Sequence, residues 1–400
     1  MINDTRKALI LNQMNKNLVF LSIVLCAFLL LECDKDSKSR NVSNNKIHFS
    51  EIAEIRFPLD SLTSFYQNSL QYRNGEDEGF LSLYNEPANS IYEYTYEGRR
   101  LNRIIHFEKE GPDGIGQNYK MGHLIAGTDS IFLFNYLTKA LFLTNSNGRI
   151  LRKYDLKTQD EKKQPSVQLD TRYPAYCTGS KIYFIGANFF HQEDHTKLLN
   201  VIVLDLESGE MSYHFPRPAI YNEGNWGYFK YIVYHCYIPD AGKFVYSFGV
   251  SDSLFVTGLK FKTITKHPAR SRFFDEIKPL TNNLSEKVTD ERIDEYDMTT
   301  PTYGPVIYDP FRKLYYRFAF HAISMEDYKS GDRRRQKPKT SIIVLDARFK
   351  FIDEVILPVD EYMTTMYFVN GEGLHLAKSN RYKENEDFLT FGIFKLLPDE

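Results

Sequence analysis

Residues Asp129–Leu156 read DSIFLFNYLTKALFLTNSNGRILRKYDL. Short runs of Phe, Leu and Ile are cut by Asn, Ser and Gly clusters, and no 3.6-residue apolar stripe runs through them, so the segment predicts strands joined by turns. Ala140–Thr144 and Arg149–Leu156 form an outer hairpin across NSNG. The same hairpin recurs three times. Ile91–Tyr96 passes through EGRR to Leu101–Phe107, Leu199–Leu206 through ESGE to Met211–Phe215, and Ser341–Leu345 through DARFK to Phe351–Leu357.

Further strands precede each hairpin: FLSLY before the first, HLIA and SIFLFNY before the second, AYC and KIYFIGA before the third, PVIYD and KLYYRFAF before the last. Units starting near Phe65, Tyr119, Tyr173, Tyr228, Tyr303 and Thr364 are spaced by 54, 54, 55, 75 and 61 residues. A repeat of this size, stranded throughout, predicts an all-β fold: a six-bladed β-propeller of four-stranded blades. A sandwich does not explain the spacing. Seven blades would need another blade within Thr257–Thr300, where GLKFKTITKHPARSRFFDEI reads as holding the fourth blade's outer strand and LTNNLSEKVTDERIDEYDM as a loop or short helical insertion.

The last unit has only three strands, Thr365–Val369, Leu374–Lys378 and Phe388–Leu396. Ile47–Phe57, IHFSEIAEIRF, alternates with period two and belongs to no unit, so pairing it outside the last blade closes the ring and removes an exposed edge. Aromatic usage agrees with sheets: 28 Tyr and 30 Phe stand against one Trp.

Ahead of the propeller, Lys16 precedes the apolar run Leu18–Leu31, which reaches only about 21 Å as a helix and is shorter than a membrane span. Glu32, Cys33 and a hydrophilic stretch follow. The expected layout is an export signal over 1–33, a flexible tether over 34–46 and one propeller over 47–398, with insertions near 188–197, 266–300 and 321–339. Met14 offers a second start with the same basic-then-apolar order. Cys33 resembles the acylated cysteine of a bacterial lipoprotein, although Leu30, Leu31 and Glu32 depart from the usual small residue before it; an uncleaved amino-terminal anchor is the alternative.

NSIYEYTYEGRRLNRIIHFEKEGPDGIG at Asn89–Gly116, the stretch Asp129–Leu156 and the amino-terminal signal together resemble the DUF4221 family of Bacteroides-type lipoproteins. That resemblance implies a six-bladed propeller of the TolB-like class over residues 47–398 and a bacterial cell-envelope location, outer-membrane-anchored; it transfers no catalytic residue.

The formal charge is -2, with 50 basic and 52 acidic residues, which gives no field for nucleic acid. Cys177 and Cys236 lack metal spacing and read as two thiols rather than a disulfide. No cofactor is predicted and no catalytic set is identified; the sequence has no GxSxG elbow. Loops between second and third strands, and those crossing to the next blade, leave the ring at one end. The long connectors 108–118, 157–172, 188–197, 266–300 and 321–339 are all of these two kinds, which predicts one crowded face and one face of tight turns.

Candidates for binding follow from that face. Trp226, Tyr221, Tyr228 and Tyr303 lie near blade entrances and could stack on a sugar or peptide, with plain inter-blade packing as the competing role. Arg333, Arg334 and Arg335 form a basic run with Lys329, Lys337 and Lys339, suited to an acidic partner or to a solvated loop paired with the acidic segment Asp290–Asp297. Glu108–Gly116 is a Gly-rich connector that either receives an anion or is a simple turn. His191 and His195 are a weak metal pair, because Gln192 stands where a zinc protease needs glutamate. The expected function is an envelope binding or scaffolding module contacting a protein, peptide or glycan through the long-loop face. The alternatives are a carbohydrate-active or ester hydrolase or lyase in the central funnel, and a structural component of an envelope assembly.

Overall fold

A computed structural model describes residues 47–116, 120–158, 164–187, 194–284, 286–379 and 387–398. Cys33 and His191 lie outside them. The first strand, β1 (Ile47–Pro58), belongs to the last sheet. Blade I is β2 (Leu70–Asn74), β3 (Gly79–Asn85), β4 (Ser90–Thr95) and β5 (Arg100–His106); blade II is β6 (Met121–Gly127), β7 (Ser130–Asn135), β8 (Ala140–Thr144) and β9 (Ile150–Asp155). Blade III has a split inner strand, β10 (Ser166–Gln168) and β11 (Tyr176–Thr178), both paired to β12 (Lys181–Ala187), then β13 (Leu199–Asp205) and β14 (Met211–Pro216). Blade IV is β15 (Val233–Ile238), β16 (Lys243–Phe248), β17 (Ser253–Gly258) and β18 (Ile264–Pro268); blade V is β19 (Thr302–Asp309), β20 (Leu314–Phe320), β21 (Thr340–Leu345) and β22 (Phe351–Leu357). Blade VI runs β23 (Tyr362–Val369), β24 (Leu374–Lys378), β25 (Phe388–Pro398) and then β1 on the outside.

The six sheets bear out the expected propeller and its closure, and exclude a sandwich or a seventh blade. One connector needs correction. Ser166–Gln168, expected within the crossing 157–172, is the first piece of blade III's inner strand. Three residues with a single buried side chain, Val167, are too short for a periodic signal.

Position within a blade decides the residue pattern. Neighbouring blades cover both faces of the middle strands, so β4 (SIYEYT) is buried along its whole length. Outer strands have one wet face, and β5 and β9 bury only scattered positions. The outer hairpins of blades I to V each carry a left-handed residue in the turn, at Arg99, Gly148, Gly209, Phe261 and Phe349. These turns reach the outer strand of the preceding blade. Phe261 stacks on His214 at 4.8 Å and Phe349 on His267 at 4.4 Å, contacts that offset the backbone cost of φ near 54° and 61° at a bulky residue.

Three buried histidines join blades as neutral rings; one of them, His375 on β24, meets the Tyr96 hydroxyl of blade I through Nε2 at 2.7 Å. On β6, His123 contacts Ser69 Oγ through Nδ1 at 2.7 Å and Ser82 Oγ through Nε2 at 2.9 Å, linking blade II to blade I. On β15, His235 Nε2 donates to the carbonyl of Pro174 at 2.6 Å, linking blade IV to blade III. Cys177 and Cys236 are free thiols.

Candidate functional site

Alternating strand direction puts every second-to-third-strand loop and every blade crossing at one end of the ring. The connectors there include 217–232, 269–301 and 321–339; the first-to-second and third-to-fourth turns at the other end are short. Helix α1 (Asp290–Thr299) stands in the crossing from blade IV to blade V, and the single-turn α2 (Met325–Lys329) in the excursion of blade V. Thr289 caps α1 by accepting from the Arg292 amide at 3.4 Å, and Asp290 and Glu291 suit its first turn.

Asp297 on α1 organises the adjoining crossing. It pairs with Lys230 at 3.2 Å, both side chains being almost wholly buried, and accepts the amides of Tyr228 and Phe229 at 3.1 and 3.3 Å. Burial holds the Lys230 ammonium below its ordinary pKa, and the Asp297 charge opposes that shift. The ion pair therefore fixes the two residues beside it, Tyr228 and Phe229, which are 47% and 63% exposed.

Between the crossings 217–232 and 269–301 lies a cavity of about 600 Å³. Its floor is Val250–Asp252 with Phe255, and its walls carry Glu223, Lys266, Arg270, Asp275 and Glu276. Behind the Tyr303 wall, the fully buried Arg317 guanidinium sits 3.7 Å from the ring centroid. It donates to Ser247 Oγ and to the carbonyls of Ala269 and Ser251 at 3.0, 2.9 and 2.7 Å. Burial lowers its pKa to about 10, with Tyr303 and Asp252 acting the other way, so it stays charged. Arg317 thus ties blade V to blade IV and holds Tyr303 in place. The cavity mixes both charge signs.

The sequence candidates fall in different places. Tyr303 lines this cavity. Trp226 and Tyr221 are fully buried and pack on each other at 6.2 Å, because the crossing 217–232 folds back over blade IV instead of standing out from it. Arg334 pairs with Asp332 at 3.3 Å, and Arg335 with Asp327 and Glu326 at 2.7 and 2.9 Å; Arg333 is exposed. Arg334 and Arg335 thus meet acids of their own excursion, whereas Lys337 pairs with Asp360 in the crossing to blade VI. The excursion reaches α1 through the Tyr328 hydroxyl, bonded to Asp294 at 3.0 Å, and through the Ile323 amide, which donates to the Met298 carbonyl at 3.0 Å. His195 is buried with the Arg217 guanidinium 3.2 Å from its Nδ1, a setting that opposes a metal cation. Among the described residues no group of three His, Cys, Asp or Glu side chains is placed to hold a metal. The Gly-rich connector uses its amides within the turn, from Gly114 to Gly111 O at 3.0 Å and from Ile115 to Glu108 O at 2.9 Å.

The ring centre is not an open funnel. Segment 169–175, between the two pieces of the split inner strand, crosses it, and what it touches is the signal that sequence patterning missed. The Leu169 amide donates to the Tyr136 hydroxyl at 2.8 Å, the Thr171 amide to Asn68 O at 3.2 Å, and Tyr173 stacks on Tyr234 at 5.4 Å. Asp170 is the only carboxylate among the described residues lining the central cavity, whereas conventional glycoside hydrolysis employs two.

The family described as "Domain of unknown function (DUF4221)" matches residues 46–356. A crystal structure of a DUF4221 member from Bacteroides vulgatus superposes with a TM-score of 0.76 at 24% identity, covering 89% of this chain and 99% of that one. A protein of Bacteroides fragilis, provisionally assigned as exported, superposes with a TM-score of 0.51 at 8% identity, covering 90% and 97% of the two chains. At these identities the likeness concerns the fold. No curated protein matches the chain.

Proposed function

The chain belongs to the DUF4221 family, and because that family's description carries no activity we propose a role from the surface itself: an exported envelope module that binds a protein partner through its long-loop end. The supporting observation is where large apolar side chains stay exposed. Leu62, Tyr66, Tyr228, Phe229 and Phe273 stand on connectors at the long-loop end, Leu137 in the short β7–β8 turn of the same end, and Met325 and Val359 add to them. Among the turns at the opposite end only Phe311 is comparably exposed; the remaining exposed apolar residues lie on outermost strands. Apolar residues gathered at one end, with charged groups between them, match a macromolecular contact better than a solvated surface.

A photo-reactive phenylalanine analogue replacing Phe229 in the full chain is expected to cross-link a discrete envelope protein in cells, whereas the same analogue at Phe311 should not. Equal cross-linking at both positions, or none at Phe229, would count against the assignment of faces.

Export and anchoring belong to the same proposal. The run Leu18–Leu31, followed by Glu32 and Cys33, supports a lipid-anchored, outer-membrane lipoprotein, and the six four-stranded blades support its assignment to the TolB-like type. Metabolic labelling with a radiolabelled fatty acid is expected to mark the wild-type chain and to miss Cys33→Ser. Equal labelling of both would remove the anchor while leaving the binding face untouched.

A further inference from the structure

On the short-turn side of the crossing segment 169–175 the channel holds a cavity of about 370 Å³. Its rim includes Cys177, Pro310 and Val369, beside the first-to-second-strand turns, and the crossing segment with Tyr367 lies deeper. A side lobe of about 170 Å³ shares Tyr176, Tyr308 and Tyr367 with it and extends to His235. This space therefore faces away from the long-loop end. At the lower end of the usual range for small-molecule pockets, about 300–1,000 Å³, it suits a small ligand and not a chain segment.

We propose that this cavity is a binding site for a small, neutral, polyhydroxylated ligand of mono- to disaccharide size. Charge decides the class. Asp170 is the single charged group lining the cavity among the described residues, and it is already saturated. Lys120 and Arg172 pair with its Oδ2 at 3.1 and 3.2 Å, and the amides of Arg172 and Tyr173 donate to its Oδ1 at 2.9 and 3.2 Å. The group keeps one net positive charge, but neither Lys120 nor Arg172 lines the cavity, and their side chains stay 30% and 32% exposed, so water screens that charge. An anionic or cationic ligand would be buried without a counter-charge, which is strongly unfavourable. Contrast the long-loop cavity, where six charged side chains line the walls.

The remaining walls select among neutral ligands. Tyr72, Tyr176, Tyr308 and Tyr367 bring flat apolar rings that end in hydroxyls, and Phe368 adds a ring stacked on Tyr72 at 5.3 Å. Such walls match a molecule with an apolar CH face and a polar hydroxyl rim. A purely hydrocarbon ligand would cover the polar part of this lining, Gln71 and Thr171 among it, without offering it a hydrogen bond. The crossing segment is also pinned to the inner strands of blades I and IV and to Tyr136 in the β7–β8 turn of blade II, so the roof is preorganised and ordering it costs little on binding.

The test uses the full chain and calorimetric titration with glucose, mannose, maltose and cellobiose, and with glucuronate and glucosamine as charged counterparts. At least one neutral sugar is expected to bind saturably and its charged counterpart to bind at least about tenfold more weakly. Ala126→Trp, at an exposed rim position, should reduce that affinity by a similar factor, whereas Phe273→Ser at the opposite end should not. A second readout needs no variant: Cys177, part-exposed on the rim, should be protected by the bound sugar from N-ethylmaleimide, as followed by mass spectrometry of its peptide. Failure of every neutral sugar to bind, equal binding of the charged counterparts, or binding that neither weakens in Ala126→Trp nor protects Cys177 would overturn the proposal. None of these outcomes bears on the cross-linking face.

Discussion

Internal deletion of Ile47–Pro58 is expected to abolish the cooperative thermal transition of the whole domain, followed by circular dichroism, and to drive the chain into aggregates on size exclusion. This strand alone holds three blades. Phe49 lies 5.2 Å from Tyr316 of blade V and 5.6 Å from Phe394 of blade VI, while Phe57 lies 5.9 Å from Tyr94 of blade I and 6.1 Å from Phe391. Phe49, Ile55 and Phe57 are all essentially buried. Truncating one such phenylalanine costs about 3–5 kcal/mol, against a total stability of about 5–15 kcal/mol for an ordinary domain. Phe57→Ala should therefore melt at a clearly lower temperature and still fold, whereas the deletion removes all three side chains and bares the β25 edge to other chains. A deletion variant that melted cooperatively near the wild-type temperature would show that closure does not depend on β1.

The closing strand was legible because its cues are local: IHFSEIAEIRF alternates, and the last repeat lacked a strand. The 54-residue spacing was legible for the same reason, since each hairpin carries its own turn residues. In the longer fourth interval, the helix α1 carries a capping Thr289 followed by acids, and its insertion reading held. What patterning could not supply was contact across the channel. Segment 169–175 has no period because its residues answer to blades I, II and IV in turn, not to one sheet.

Site residues were less legible than the fold. Trp226 and Tyr221 sit in a connector, which suggests exposure, yet 3₁₀ turns fold the crossing 217–232 onto itself and bury both. Phe229, three positions on from Trp226, is the exposed ring. The difference is set by Asp297, distant in sequence, which accepts the Phe229 amide and pairs with Lys230. Likewise Asp170, the one carboxylate among the described residues lining the central cavity, is occupied by Lys120 and Arg172, a pairing that no spacing rule reveals.

Acid should unfold this propeller more steeply than its carboxylates alone would. Burial pushes the pKa of His123 down to about 3 and that of His235 to about 4, from an ordinary 6.5. Glu93 and the Pro174 carbonyl pull the other way without reversing the shift. In the unfolded chain both rings take up a proton near pH 6.5, while in the folded chain they cannot, so stability is full above that pH and falls as pH drops through it. Each histidine removes about 1.4 kcal/mol per pH unit, and the two together about 3 kcal/mol, until the folded pKa values are reached. From pH 6.5 to about 4.5 the loss comes to about 5–6 kcal/mol, the low end of an ordinary domain's stability of about 5–15 kcal/mol. The structural reason is visible at each ring. His235 has no acceptor for a proton on Nδ1, and a charged His123 would force Ser69, which donates to its Nδ1 and accepts its own backbone amide, to give up that arrangement. Urea titrations at successive pH values check the slope, and His123→Asn should lower it by about 1.4 kcal/mol per pH unit. An unchanged slope in that variant would mean that the histidine is charged in the folded state and that the blade I and blade II junction is held by an ionic contact instead.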